Sequence, residues 1–382
     1  SDLREKELIY HPDHQEAVLD MAKKSIVLLK NENNLLPLKK NQKNIAVIGP
    51  LAEDKNSPLG SWRLASDDNT AVSVLEGLRA YTNNFKYQKG ADLVIGETSF
   101  TDPVKINNTD KSGFDEAIKL AEESEVVIMV LGEHGFQSAE GRSRTRLDLP
   151  GLQQELLEEV YKVNKNIILV LMNGRPLTIT WADEHIPAIL ETWQLGSQTG
   201  NAIAQVLFGD YNPGGKLPMT FPRSVGQVPI YYNQFNTGRP GPSSTVFWSH
   251  YIDESNAPLY PFGFGLSYTE FEYSNLTLDT TNMYNIKVSV QVKNTGKLAG
   301  EEITQLYIRD MTASVVRPVK ELKGFEKFHL EPGQSKVVEF VLTDKELGFY
   351  NNKGEYVVEP GEFEVMVGTS SRDLMKSSFY RK

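Results

Sequence analysis

The sequence contains no cysteine. That removes disulfides, thiolate metal sites and thiol nucleophiles, and leaves the cellular compartment open. No uninterrupted apolar run reaches the roughly 18 residues that a membrane-spanning helix needs, so no membrane partner is expected. Positive charge is in deficit: 40 Lys and Arg against 50 Asp and Glu give a net charge of −10, and a nucleic-acid partner has no electrostatic footprint. Histidines number 6 and are dispersed. Only His11 and His14 are close in sequence, a pair that reads as capping or surface rather than as a metal site. No G-x-S-x-G nucleophile elbow and no Walker sequence occur. The apolar segment 45–49 runs into Gly-Pro-Leu-Ala-Glu-Asp where a dinucleotide fold needs G-x-G-x-x-G, and no helix start follows at once to hold a pyrophosphate. No cofactor is expected. The first 25 residues are charged and lack an apolar signal core, though a processed secreted protein would look the same.

What is present is ordinary globular material. The chain has 382 residues, 40% hydrophobic and 24% charged, enough for two or three domains with sizeable cores. Ala17, Val18, Met21 and Ala22 predict a helix over 12–25. Apolar strands are predicted at 26–29, 45–50, 126–131, 167–172 and 188–193. Between them lie helices at 114–124, 152–163 and 201–208, and one carrying Val72, Leu75 and Leu78 that Asn69 or Thr70 can cap. Strands alternating with amphipathic helices predict an α/β sandwich over residues 1–223, a mostly parallel sheet with helices on both faces. The loops after Ile48, Leu131, Met172 and Trp193 then share one rim, the ligand edge of such a sheet. Trp62 lies in the long polar loop 51–69. From Asp210 the texture turns to Gly, Pro and aromatics, and residues 224–270 read as linker. Residues 271–382 read as an all-β sandwich, with period-2 alternation at 286–292 and 303–308 and strands at 337–342 and 363–367.

The richest stretch is 131–151, LGEHGFQSAEGRSRTRLDLPG. It follows a fully apolar strand and ends where an amphipathic helix begins. It holds the glutamates Glu133 and Glu140, one imidazole (His134) and three arginines (Arg142, Arg144, Arg146). Loops at the carboxyl ends of buried strands are where α/β proteins place chemistry. Equally, a charge run of this kind serves as a solvated, ion-paired surface loop.

Several stretches together carry a resemblance. They are SIVLLKNENNLLPL (25–38), IAVIGP (45–50), Gly60-Ser61-Trp62, residues 132–151, MNGRP (172–176), LFGDYNPGGKLPMTFP (207–222), YPFGFGLSY (260–268) and RPVKELKGF (317–325). In this order they resemble the C-terminal two-thirds of a family 3 glycoside hydrolase of the periplasmic β-glucosidase type. The resemblance implies three domains in the full enzyme: a barrel, an α/β sandwich and a fibronectin-III-like sandwich, of which this chain supplies the last two. It implies retaining hydrolysis of terminal non-reducing β-D-glucosyl residues in a β-linked oligosaccharide or glucoside. Such chemistry needs two carboxyl groups about 5–5.5 Å apart.

In the family the nucleophile is an aspartate in a Ser-Asp-Trp-like barrel segment. Here Ser1-Asp2 is followed by Leu and Ser66-Asp67 by Asp, so the barrel and its nucleophile are expected to be missing. The acid/base comes from the sandwich loop, and Glu140 in Ser138-Ala139-Glu140-Gly141-Arg142 takes the matching position. Glu133 and Glu254 are rival carboxylates. Glu133 lies so near its strand that backbone or arginine contacts are expected to hold it, and Glu254 reads as a linker charge. Trp62, Glu133, His134 and Arg142 are the candidates for the substrate side. The Trp62 indole suits stacking on a pyranose, and Arg142 and Arg144 are expected to position the loop through bidentate pairs to carboxylates. Asn173-Gly174-Arg175-Pro176 is expected to be a structural turn with Arg175 tying loops together. Other readings are a non-catalytic docking or carbohydrate-binding module and a β-xylosidase-type specificity. A periplasmic or secreted location, the N-terminal barrel as partner in the same or a separate chain, an apolar barrel-facing rim and homo-oligomerisation complete the expectations.

Overall fold

The computed structural model describes residues 2–63, 67–241 and 243–382. Ser1, residues 64–66 of the long polar loop and residue 242 of the linker lie outside them, so the serines of the Ser1-Asp2 and Ser66-Asp67 pairs weighed above are not among the described residues. Two compact units meet in sequence between Gly215 and Lys216.

The first unit is built on a six-stranded sheet. Its strands are β1 (Val27–Asn31), β2 (Ile45–Ile48), β3 (Phe85–Gln88), β4 (Val126–Gly132), β5 (Ile167–Met172) and β6 (Ala188–Glu191), in the order β1-β6-β5-β4-β2-β3. Pairings among β2 to β6 are parallel, and β1 joins β6 antiparallel at the edge. Every residue of β2, β4, β5 and β6 is buried, which is why these strands read as unbroken apolar runs rather than alternations. The helices are α1 (Asp2–Leu8), α2 (Pro12–Ser25), α3 (Val74–Arg79), α4 (Phe114–Glu122), α5 (Gln153–Val163), α6 (Thr180–His185) and α7 (Thr199–Leu207). They form two packing groups, α2 and α3 against α7, and α4 against α5.

Two expectations need correction. The cap of α3 is Ser73, not Asn69 or Thr70. Its hydroxyl accepts from the Glu76 amide while the Glu76 carboxylate accepts from the Ser73 amide, a reciprocal pair that satisfies two free donors at once. The edge strand β3 was not anticipated, because its half-buried Phe-Lys-Tyr-Gln lacks an apolar run.

The strand order places the site. From β2 the chain winds to one side, to β3; from β4 it winds to the other, through β5 to β6. β2 and β4 are direct neighbours, with Ile45 opposite Val126 and Ile48 opposite Met129. The reversal therefore falls between them, where α/β sheets open a crevice beyond their carboxyl ends. The loops leaving β2 and β4 carry Trp62 and Glu140.

The second unit is a sandwich of seven longer strands: β7 (Phe271–Asp279), β8 (Ile286–Asn294), β9 (Gly300–Asp310), β10 (Glu321–Leu330), β11 (Ser335–Leu342), β14 (Gly361–Gly368) and β15 (Leu374–Arg381). A one-turn helix α8 (Asp344–Leu347) and a small ladder of β12 (Phe349–Tyr350) with β13 (Tyr356–Val357) lie between β11 and β14. One sheet runs β11-β8-β7 and the other β10-β9-β14-β15, with all pairings antiparallel. Inward residues Val288, Val290, Phe363 and Val365 meet in a shared core, each burial contributing roughly 1.5–3 kcal/mol.

Candidate active site

The Glu140 loop is anchored at both ends before it leaves the sheet. Gly132 closes β4 at φ 147°, and a Cβ there would lie 2.0 Å from the Met172 carbonyl oxygen, so glycine is required. The buried Gln153 side chain accepts from the Gly132 amide at 2.9 Å. Its Nε2 donates to the Gly132 carbonyl at 2.7 Å and to the Pro150 carbonyl at 2.9 Å, joining the start of the loop to its end.

Glu133 follows, 1% exposed. Arg144 Nη1 donates to its Oε1 at 2.7 Å, Arg175 Nε lies 3.1 Å from the same oxygen, and the Gly174 amide donates to Oε2 at 3.3 Å. A buried carboxylate holds its charge only with such partners. Arg175 continues upward: its Nη2 donates to the Gln137 carbonyl and, at 2.9 Å, to the Arg142 carbonyl. These carbonyls bracket residues 138–141. Arg142 departs from expectation, because its guanidinium donates to the backbone carbonyls of Phe100 and Asp102 and not to a carboxylate. It also lies over the Phe100 ring.

From the other side, the Ser57 hydroxyl oxygen accepts from the Gly135 amide at 3.0 Å. The buried Ser61 hydroxyl lies 2.6 Å from both the Gly135 and the Ser138 carbonyl oxygens, its single proton shared between them. Ser61 immediately precedes Trp62, so one hydroxyl ties the tryptophan's loop to that of Glu140. His134 is half-buried. Its Nδ1 accepts from the Phe136 amide at 3.1 Å, and burial holds the imidazole below its usual pKa, with Asp54 opposing and Arg63 reinforcing the shift. His134 and the Gln137 side chain thus close a short 3-10 turn over Gly135–Gln137.

The tip is different. Ala139 sits at φ 86° and Gly141 at φ 70°, and the Arg142 amide returns to the Ala139 carbonyl at 3.2 Å. This tight turn presents Glu140 to solvent. Its carboxylate has no hydrogen bond or ion pair among the described residues. Trp62 is likewise 62% exposed. Glu254, in the second unit, accepts from the Ser255 amide at 2.7 Å and lies 3.8 Å from Arg223 Nε.

The structure therefore gathers Trp62, Glu133, His134, Glu140 and Arg142 on the two loops at the sheet's reversal. Glu133, His134 and Arg142 are spent on holding the loop, and Glu140 and Trp62 are left outward. Sequence reasoning missed Ser57, Ser61, Gln153, Gln194 and Glu191. Serine and glutamine, whether in a polar loop or, like Gln153, at the start of a helix, carry no signal of their own. Glu191 did offer one: a carboxylate ending the apolar run Ala-Ile-Leu-Glu of a buried strand, a place charged residues enter only with a purpose.

Residues 26–268 match the glycosyl hydrolase family 3 C-terminal domain, and residues 302–371 match the fibronectin type III-like domain. The chain is 44% identical over 381 residues to the periplasmic beta-glucosidase of Salmonella typhimurium, covering 96% of this chain and 50% of that protein. It is 43% identical over 375 residues to a beta-xylosidase of Formosa agariphila, covering 94% and 49%. A crystal structure of a mutant beta-glucosidase from Listeria innocua in complex with laminaribiose superposes with a TM-score of 0.91 at 36% identity, covering 99% of this chain and 50% of that one. The chain spans about half the length of the curated relatives it matches. It belongs to glycosyl hydrolase family 3, and within that family it is the C-terminal α/β domain followed by a fibronectin type III-like domain.

Proposed function

We propose that this chain is the acid/base-bearing half of a retaining β-glucosidase. The observation that carries the reading is the contrast on one loop: Glu140 projects free from a turn whose flanks are fixed by Arg175, Ser61, Ser57 and Gln153. A general acid must reach a substrate oxygen while its backbone stays still. The nucleophilic carboxylate belongs to an N-terminal barrel, in the same or a separate chain, in keeping with relatives about twice as long.

In the first step the barrel carboxylate attacks the anomeric carbon. The bond to the leaving oxygen breaks, and that oxygen takes the Glu140 proton. In the second, Glu140 as carboxylate takes a proton from water, whose oxygen attacks the anomeric carbon and releases the nucleophile. The exposed Trp62 indole stacks on the leaving-group sugar, while Glu133, His134 and Arg142 serve by fixing the loop rather than by touching substrate. Substrates are terminal non-reducing β-D-glucosides, no cofactor takes part, and the location is periplasmic, as the name of the Salmonella relative states for that protein. A β-xylosidase specificity is the second reading, favoured by the Formosa relative of nearly equal identity.

The test is Glu140→Gln in the full-length protein. For methyl β-glucoside, whose leaving group must be protonated, kcat/KM falls by roughly 10²–10⁴-fold, whereas kcat/KM for dinitrophenyl β-glucoside, which reports the same bond-breaking step without need of a proton, falls far less. Equal losses on both substrates would remove Glu140 from the acid/base role. Comparing glucoside with xyloside in the same assay separates the two specificities.

A further inference from the structure

Beneath the loop lies a second carboxyl that the chemistry above does not use. Glu191 ends β6 with 0% exposure. Its two described hydrogen bonds come from uncharged donors: Asn173 Nδ2 at 2.9 Å and the Trp193 amide at 2.9 Å. Each donor begins an arm towards the Glu140 loop.

The first arm is the turn after β5. Asn173 Nδ2 also donates to the Arg175 carbonyl at 2.8 Å, which closes the turn and sets the direction of Arg175. That arginine then binds Glu133 and the carbonyls of Gln137 and Arg142 on either side of residues 138–141. The second arm is the turn after β6. Trp193 stands at φ 53°, an uncommon backbone state for a bulky residue, and its amide is held by Glu191. The next side chain, Gln194, donates from Nε2 to Ser138 Oγ at 3.2 Å. The arms meet closely, because a Cβ on Gly174 would lie 2.1 Å from Ser138 Oγ.

We propose that Glu191 is a positioning residue for the acid/base loop: one buried carboxyl fixes the Asn173–Arg175 and Trp193–Gln194 turns together, and these hold residues 138–141 from below. This rests on the reading of Glu140 as acid/base. Glu191 does this work in its protonated form. Burial pushes its carboxyl up to about 8, nearby Glu133 pushes the same way, and the two amide hydrogen bonds oppose. Its sheet neighbours are the apolar Val27 on β1 and Leu171 on β5. The charged group that acts on it is Glu133, whose own partners are Arg144 and Arg175. Ionisation places a second negative charge near Glu133 and so disturbs the Glu133–Arg175 pair on which the first arm rests.

The experiment uses the full-length protein with Glu191→Gln, Gln194→Ala and Glu140→Gln, each assayed on methyl and dinitrophenyl β-glucosides across pH. Glu191→Gln is expected to lower kcat/KM on the methyl glucoside about tenfold more than on the dinitrophenyl glucoside, since in the bond-breaking step a displaced acid matters only where a proton is needed. Its alkaline limb is expected to move to higher pH, because the amide cannot ionise. Gln194→Ala, which leaves Glu191 and the sheet intact, is expected to give a smaller discrimination of the same sign, so the proposal stays testable if Glu191→Gln does not fold. Uniform loss on both substrates, or an unmoved alkaline limb, would reduce Glu191 to a structural carboxyl and overturn the proposal. If Glu140→Gln discriminates while Glu191→Gln and Gln194→Ala do not, the Glu191 proposal fails alone. If Glu140→Gln itself does not discriminate, the functional reading falls and this inference with it.

Discussion

Three glutamates within one rim show how environment sorts a single residue type. Glu133 is buried among arginines, Glu191 is buried among amides, and Glu140 is exposed at a turn. The amide-bound one has a thermodynamic consequence. Glu191 carries its proton up to about 8 in the folded chain against an ordinary value of 4.5. Between those values the folded state binds a proton that the unfolded chain has released. Stability from this site is therefore complete below the lower value and is lost as pH rises through the upper one. Melting temperatures of the chain at about pH 5 and about pH 8 test this. The drop between them is expected to be larger in the parent than in Glu191→Gln, which has no proton to lose. An equal drop in both would mean that Glu191 is ionised when folded.

At the scale of elements, legibility followed burial. The strands β2, β4, β5 and β6 announce themselves as short apolar runs because both of their faces are covered. The half-buried β3 does not, and neither does the irregular β7, whose pairing with β8 slips between Ser274 and Thr277. The α3 cap was misread although its signal was present. Ser73 followed three residues later by Glu76, just before an apolar segment, is the reciprocal capping pattern, and Asn69 and Thr70 drew attention from it. Ser73→Ala removes the acceptor for the Glu76 amide and frees the Glu76 carboxylate from the hydroxyl. The free energy of unfolding in urea is expected to fall by about 1 kcal/mol, moving the midpoint to lower concentration. The same substitution at Thr70, whose hydroxyl donates to the Asp67 carbonyl and caps no helix, is expected to cost less. The Glu140 loop is legible in its residue types and its place after β4. The contacts that hold it are not, because Arg175, Gln194 and Ser61 reach it from 33 to 77 residues away in sequence, and no local pattern encodes such pairings.

At the scale of the whole molecule, the distribution of carboxylates decides what the chain can do alone. A double displacement needs a nucleophile about 5–5.5 Å from the acid/base carboxyl. Two other carboxylates share the loop with Glu140: Asp148, which accepts from the Thr178 hydroxyl at 2.7 Å, and Glu133, which lies inside the protein with both oxygens engaged by Arg144, Arg175 and Gly174. Freeing it would break a buried ion pair, at a cost of roughly 3–5 kcal/mol. It cannot serve as nucleophile without dismantling the loop that presents Glu140. The chain by itself is accordingly expected not to turn over dinitrophenyl β-glucoside, a substrate for which the nucleophile matters most and the acid least. Adding the N-terminal barrel in trans is expected to restore hydrolysis by several orders of magnitude, and the restored kcat/KM is expected to depend on Glu140 strongly for methyl β-glucoside and weakly for dinitrophenyl β-glucoside. Turnover by the isolated chain that survives Glu133→Gln would place a nucleophile elsewhere within these 382 residues and would sink the division of labour between two halves. Turnover that vanishes in Glu133→Gln would instead mean that the arginine clamp opens, and the buried pair would become part of the reaction rather than of its scaffold.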